Sequence, residues 1–325
     1  MMPDLLAERD TYKPFHYPWA YEAWLKQQRI HWLPEEIPLA DDVKDWKNKL
    51  TAQEKNLCTQ IFRFFTQADV EVNNCYMKHY NQVFGATEVL MMLSAFSNIE
   101  TVHIAAYSHL LDTIGMPEVE YSAFLQYKEM KDKYDFMKGA SMKSKRDIAK
   151  TMAMFGAFTE GLQLFASFAI LMNFTRFNKM KGMGQVVAWS VRDETLHTLS
   201  MIRLFNTFID ENNAIWDQEL QQEITQCAMT IVKHEDAFID LAFEMGGVEG
   251  LAPEEVKQYI RFIADRRLSQ LNLSPIYNIN KNPLPWMDEI LNGAEHANFF
   301  EARATEYSKA ATQGSWEHAF EESIF

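Results

Sequence analysis

No proline occurs between Pro117 and Pro253, so the middle of the chain lacks the strongest breaker of a helix. Long helices follow from that. Thr51-Ala-Gln-Glu54 matches a capping box, in which the threonine and glutamate side chains satisfy free amides at a helix start. Behind it Leu57, Ile61, Phe64, Phe65 and Ala68 recur at helical spacing, which predicts a helix to about Tyr80. A second is expected over 87–114, ending at Gly115-Met-Pro117. After the charged run KEMKDKYDFMKG, further helices are expected over 145–174, 184–210, 217–246 and 253–270. Residues 1–50, with Pro14, Pro18, Pro34 and Pro38, read as irregular. No segment alternates with period two, and there is no GxGxxG, no Walker loop and no internal repeat. The fold class is all-α, a bundle of long helices.

A chain of 325 residues with 47% hydrophobic content buries a large core. Its net charge of −14 argues against a nucleic-acid surface, which calls for a basic patch. Cys58, Cys75 and Cys227 are odd in number and form no CxxC pair, so neither a disulfide framework nor a zinc site is expected. The opening MMPDLLAERD is acidic where a secretory leader has a basic n-region, which favours the cytoplasm. The apolar run Met152–Phe174 approaches the length of a membrane span, yet Glu160 sits inside it. A central carboxylate is costly in lipid and tolerable in a protein core that offers it a partner. A helix buried on all sides within protein is expected there, with Glu160 facing something positive.

Of nine histidines, only two have a glutamate three residues earlier: Glu100-Thr-Val-His103 and Glu194-Thr-Leu-His197. Positions i and i+3 of a helix lie side by side, so each motif offers one oxygen and one nitrogen to an ion. A single ExxH is ordinarily a salt-bridging glutamate beside an unremarkable histidine; two, each in an apolar helix, are harder to dismiss. Asp69 lies in FRFFTQAD ahead of the first motif, and Glu160 in FGAFTEG ahead of the second. Glu71 competes for the first position, but it points away from the face that Asp69 shares with Phe65. Two carboxylate helices and two ExxH helices form the donor set of a carboxylate-bridged dinuclear centre in a ferritin-like bundle. Four carboxylates balance two divalent cations, and without them their convergence in a core would be strongly repulsive. The oxygen-rich, thiolate-free set favours iron or manganese over zinc or copper.

Asp69, Glu100, His103, Glu160, Glu194 and His197 resemble, in type, order and approximate spacing, the ligand pattern of the class I ribonucleotide reductase small subunit. The resemblance runs from Trp32 to the end of the chain. It implies that Tyr107, one turn after His103, is oxidised by the metal centre to a stable radical, and that Asp193 bonds His103 and Trp32. Tyr307, in NFFEARATEYSK, matches the tyrosine that relays the radical between subunits. The implied division is one ferritin-like domain over 1–291 and a tail over 292–325. The acidic, aromatic end of that tail, GSWEHAFEESIF, fits docking on the large catalytic subunit. The resemblance further implies a homodimer, no nucleotide site on this chain, and a radical that passes through Trp32 and Tyr307 to the large subunit for ribonucleotide reduction. Tyrosine at 107 favours two irons, with manganese/iron and two manganese ions as alternatives.

The same ligand set occurs in ferritin-like oxidases, acyl desaturases and ligand-binding oxidases. Ferritins are about half this length, and the ligand-binding oxidases place glutamate where Asp69 stands. A non-catalytic metal-storage protein is the alternative of another class; a stable organic radical after aerobic metal loading would separate the two.

Overall fold

The computed structural model describes residues 4–290, and among them there is no β-strand, only an isolated bridge between Val248 and Leu251. In chain order the helices are α1 (Pro18–Arg29), α2 (Ala40–Asn48), α3 (Ala52–Lys78), α4 (Thr87–Ile114), α5 (Val119–Ala123) and α6 (Lys128–Met137). Then come α7 (Lys145–Met152), a π-helical segment (Ala153–Gln163), α8 (Leu164–Arg176), α9 (Lys181–Glu211), α10 (Gln218–Ala242) and α11 (Pro253–Gln270). The core of the bundle is α3 against α4, the π segment and α8 against α9, and α10 against α11.

The long helices begin and end where their local chemistry says they should. The Thr51 hydroxyl accepts from the Glu54 amide at 3.2 Å, and the Glu54 carboxylate accepts from the Thr51 amide at 2.9 Å, which closes the capping box of α3. Gly115 ends α4 at φ 80°, a left-handed conformation that a residue with a Cβ adopts at a cost.

Two stretches differ from the sequence expectation. Within residues 4–50, expected to be irregular, two helices form, α1 and α2, while the stretches before and between them are turns, bends and irregular backbone. Pro18 stands at the first turn of α1, where its missing amide costs nothing, so it starts a helix that composition alone read as broken. These two helices position the bundle. Asp42 of α2 accepts from the Gly182 and Met183 amides at 2.8 and 2.7 Å, giving the unsatisfied donors at the start of α9 a charged acceptor from another helix. Glu88 in the first turn of α4 accepts from the His16 and Tyr17 amides at 2.6 and 2.7 Å, which fixes the entry to α1. The charged run after Gln126 also folds, as α6, because Met130, Lys133 and Met137 fall on one buried face.

The expected 145–174 helix is continuous but not α throughout. Its middle, Ala153–Gln163, widens to π geometry, and the Thr159 hydroxyl donates to the Met154 carbonyl five residues back at 3.0 Å. This segment lies hard against α9. A Cβ added at Gly156 would stand 2.5 Å from the Met201 Cβ, and one at Gly161 would stand 2.6 Å from the Thr198 Cγ2. Both α4 and the run from Lys145 to Arg176 are long and apolar enough to cross a membrane, but the most apolar window of the latter is wholly buried inside the protein. It is a core helix, as the carboxylate within it suggested.

Candidate metal centre

Glu100 and His103 project from α4, Glu194 and His197 from α9, Asp69 from α3 and Glu160 from the π segment. None of the six is more than 3% exposed. Glu100, Glu160, Glu194 and His197 each offer a donor atom, all within 4.8 Å of one another. His103 joins them through Nδ1, 3.5 Å from Glu100 Oε2 and 3.3 Å from Glu194 Oε1. His197 Nδ1 lies 3.1 Å from Glu100 Oε1, and 3.5 Å from both Glu160 Oε1 and Glu194 Oε2. Glu100 and Glu194 therefore each turn one oxygen to each histidine, the disposition of carboxylates that span two positions. Glu160 belongs to the His197 side. Asp69 lies close enough to Glu100, His103 and Glu194 to feel their charges. Glu71 takes no part; its carboxylate accepts from Gln67 Nε2 at 2.9 Å.

The atoms at the focus are close without being bonded. Asp69 Oδ2, both oxygens of Glu100, Glu194 Oε2 and His197 Nδ1 are buried and lack a hydrogen-bond partner. Buried polar atoms are normally satisfied, and five orphans among these neighbouring side chains mark a place for cations. The titration behaviour agrees. Burial, and then the Glu100 charge, push Asp69 well above the usual carboxylate range. Burial raises Glu160 to about 8. Burial opposes charge on His103 and His197, yet the surrounding carboxylates outweigh it and hold both well above the ordinary imidazole range. The cluster is short of positive charge and draws in protons where two divalent ions would supply it. The oxygen-rich set with two imidazoles and no thiolate suits iron or manganese.

The far side of each imidazole is braced. Asp193 Oδ2 lies 3.2 Å from His103 Nε2 and accepts from Trp32 Nε1 at 2.8 Å. Since a carboxylate only accepts, His103 Nε2 carries a proton, which makes Nδ1, the nitrogen facing the cluster, the one that would bind an ion once a metal displaces the proton the carboxylates hold there. Burial works against the charge on Asp193, but the His103 bond and the Arg192 charge outweigh it and keep the carboxyl below its usual range. On the other side Gln27 Oε1 lies 3.2 Å from His197 Nε2 while Gln27 Nε2 donates to Asp193 Oδ1 at 3.4 Å. Sequence reading missed Gln27 because its helix, α1, was read as irregular. It also missed Tyr76, whose hydroxyl donates to Glu160 Oε1 at 2.7 Å. Tyr76 stands seven residues after Asp69, two turns along the same face, and that spacing was available in the sequence.

Tyr107 is buried one turn beyond His103, its ring 4.8 Å from that of Phe65. Its hydroxyl faces Ser190 Oγ at 3.4 Å, and Ser190 in turn donates to the Val186 carbonyl at 3.0 Å. Burial, then the charge of Asp69, raise the phenol above its ordinary range, so it stays protonated. Tyr307 and the docking segment expected after it lie outside the described residues.

A bundle of long helices enclosing a thiolate-free cluster of glutamates and histidines is a ferritin-like protein with a dinuclear metal centre. The sequence model of the family described as "Ribonucleotide reductase, small chain" matches residues 9–283. A probable ribonucleoside-diphosphate reductase small subunit of Invertebrate iridescent virus 3 is 45% identical over 330 aligned positions, covering 96% of this chain and 88% of the relative. Among solved structures, the ribonucleotide reductase R2 subunit of Clostridium botulinum superposes with a TM-score of 0.81 at 23% identity, covering 89% of this chain and 94% of that one. The dimanganese(II)-NrdF of Streptococcus sanguinis superposes at 0.73 and 18% identity, covering 84% and 94%. The chain belongs to the ribonucleotide reductase small-chain family. With that membership goes the role of small subunit of ribonucleoside-diphosphate reductase, an oxidoreductase that works with a large subunit and whose small subunit is typically a dimer.

Proposed function

We propose that Asp69, Glu100, His103, Glu160, Glu194 and His197 would hold two metal ions, Glu100 and Glu194 being the carboxylates that face both histidines, and that Tyr107 carries the radical. The gathering of orphaned buried oxygens and an imidazole nitrogen among these neighbouring side chains supports this reading most directly. Bound there, the metal pair supplies the one-electron oxidising power that protein side chains lack. Tyr107 would give up one electron to that oxidant; its hydroxyl is oriented by Ser190 Oγ, and Asp69, the carboxylate whose charge acts on the phenol, would be the base that takes its proton. The burial of Tyr107 keeps water and reductants from the product.

Trp32 and Asp193 form the first span of the route outward: Asp193 accepts from both Trp32 and His103, so charge and proton can move together along one bonded line. Tyr307 continues that route, and Gly314–Phe325 docks on the large subunit, with Trp316, Phe320 and Phe325 as anchors. Residues 292–325 thus form a functional tail to a metal-binding domain over 1–291, working in the cytoplasm as a homodimer. The metal pair is two irons, since an oxidisable tyrosine stands at 107. Aerobic reconstitution with iron or with manganese, followed by metal analysis and electron paramagnetic resonance, tests this. Two irons per chain with a tyrosyl signal are expected; a signal only after manganese loading would replace iron by manganese.

A further inference from the structure

The two carboxylates that do not span both histidines are held unequally. Asp69 has a buried oxygen, Oδ2, with no hydrogen-bond partner, as have Glu100 and Glu194. Glu160 alone among the four receives a phenol: Tyr76, 1% exposed, donates to Oε1 at 2.7 Å. That same oxygen faces His197 Nδ1 at 3.5 Å. The Tyr76 ring is locked edge-on between its neighbours, with ring centroids 6.2 Å from His197, 6.2 Å from Phe96 and 5.6 Å from Tyr80. Its hydroxyl therefore has one place to point.

Glu160 also differs from the other three in its backbone. It rises from a π segment rather than an α-helix, and a glutamate there has three side-chain torsions with which to swing away. A phenol that is fixed by packing and bonded to one oxygen lowers the entropy lost when the carboxylate engages an ion.

We propose that Tyr76 is a positioning residue that fixes Glu160 toward His197 and thereby sets the affinity of the His197-side metal position separately from that of the His103 side. The proposal rests on the ligand assignment made above. Tyr76 belongs to α3, the helix that also supplies Asp69, so one helix serves one metal position as ligand and the other as brace.

The test is Mn(II) binding to the metal-free full-length chain, measured by calorimetry and by the paramagnetic resonance signal of free Mn(II). Wild type should take two ions per chain; a chain that binds none would sink the ligand assignment itself, before Tyr76 is considered. In Tyr76→Phe, which keeps the ring and loses only the hydroxyl, one of the two positions should weaken by about 10–100-fold while the other stays within about twofold. In the Glu160→Gln background the same change should have little further effect, because Tyr76 acts through Glu160. Thermal melting of the metal-free proteins shows whether both variants fold. Two unchanged positions in Tyr76→Phe, equal weakening of both, or full additivity with Glu160→Gln would each overturn the proposal.

Discussion

Two of the places where the described residues bury charge are solved differently. Between α3, α6 and α10, Lys133 Nζ lies 2.6 Å from Glu235 Oε1, and neither side chain is exposed at all. The ammonium also stands 3.6 Å from the ring centroid of Phe64 and 4.1 Å from that of Phe238. There one cation answers one anion, although the contact is an ion pair whose angles are not those of a hydrogen bond. In the metal cluster four carboxylates converge on two imidazoles. Orphaned atoms occur in both places, so burial and lack of partners do not by themselves make a site. The excess of one sign does. Helix α3 touches both, with Phe64 on the ion pair and Asp69 at the cluster.

The largest separation between the two regions should come from Glu194→Ala. It removes a carboxylate that faces both histidines, so metal analysis should find at least one position without stable occupancy while circular dichroism stays helical. Two tightly held ions in the purified variant would remove Glu194 from the ligand set. Tyr107→Phe comes next: both metals should remain and the tyrosyl resonance should vanish, since the ring still packs against Phe65. A tyrosyl spectrum that persists would move the radical to another residue.

Lys133→Met should do the reverse of Glu194→Ala. It strands Glu235 in the core and should cost about 3–5 kcal/mol of stability in urea unfolding, while metal stoichiometry is unchanged. Loss of metal in that variant would show that the two charge clusters are coupled through α3. The smallest effect is a slope. Burial raises Glu235 to about 7 in spite of Lys133. The folded state therefore holds that proton more tightly than the unfolded chain, and stability from this group falls as pH rises from about 4.5 to 7. Glu235→Gln should remove that fall, so the variant gains relative to wild type between pH 5 and 7. Parallel curves for the two proteins would mean that Glu235 does not titrate there.

Much of this was legible because helices carry their own punctuation. The capping box at Thr51, the glycine at 115 and the long gap between prolines are local signals, and α3, α4, α9, α10 and α11 fall within a few residues of where those signals placed them. The two ExxH motifs were equally local, since i, i+3 spacing fixes a shared face before any tertiary contact exists. Asp69 and Glu160 were readable as charges that apolar surroundings could not tolerate alone.

What remained belongs to contacts between distant parts of the chain. The helicity of residues 18–29 depends on docking against α4, and Gln27 becomes a brace for His197 only once α1 lies there. Composition reports a proline and a scatter of aromatics and charges in that stretch, not a partner. The π widening at Ala153–Gln163 has no signature of its own; Gly156 and Gly161 look like ordinary weak points until α9 is pressed against them. The bond from Tyr76 to Glu160 joins residues 84 apart in sequence. The sequence by itself determined which residues have the chemistry of candidate ligands, because that chemistry is local. Tertiary structure alone decided which carboxylates face both histidines and which atoms stay without partners, because those depend on how four helices are turned toward one another.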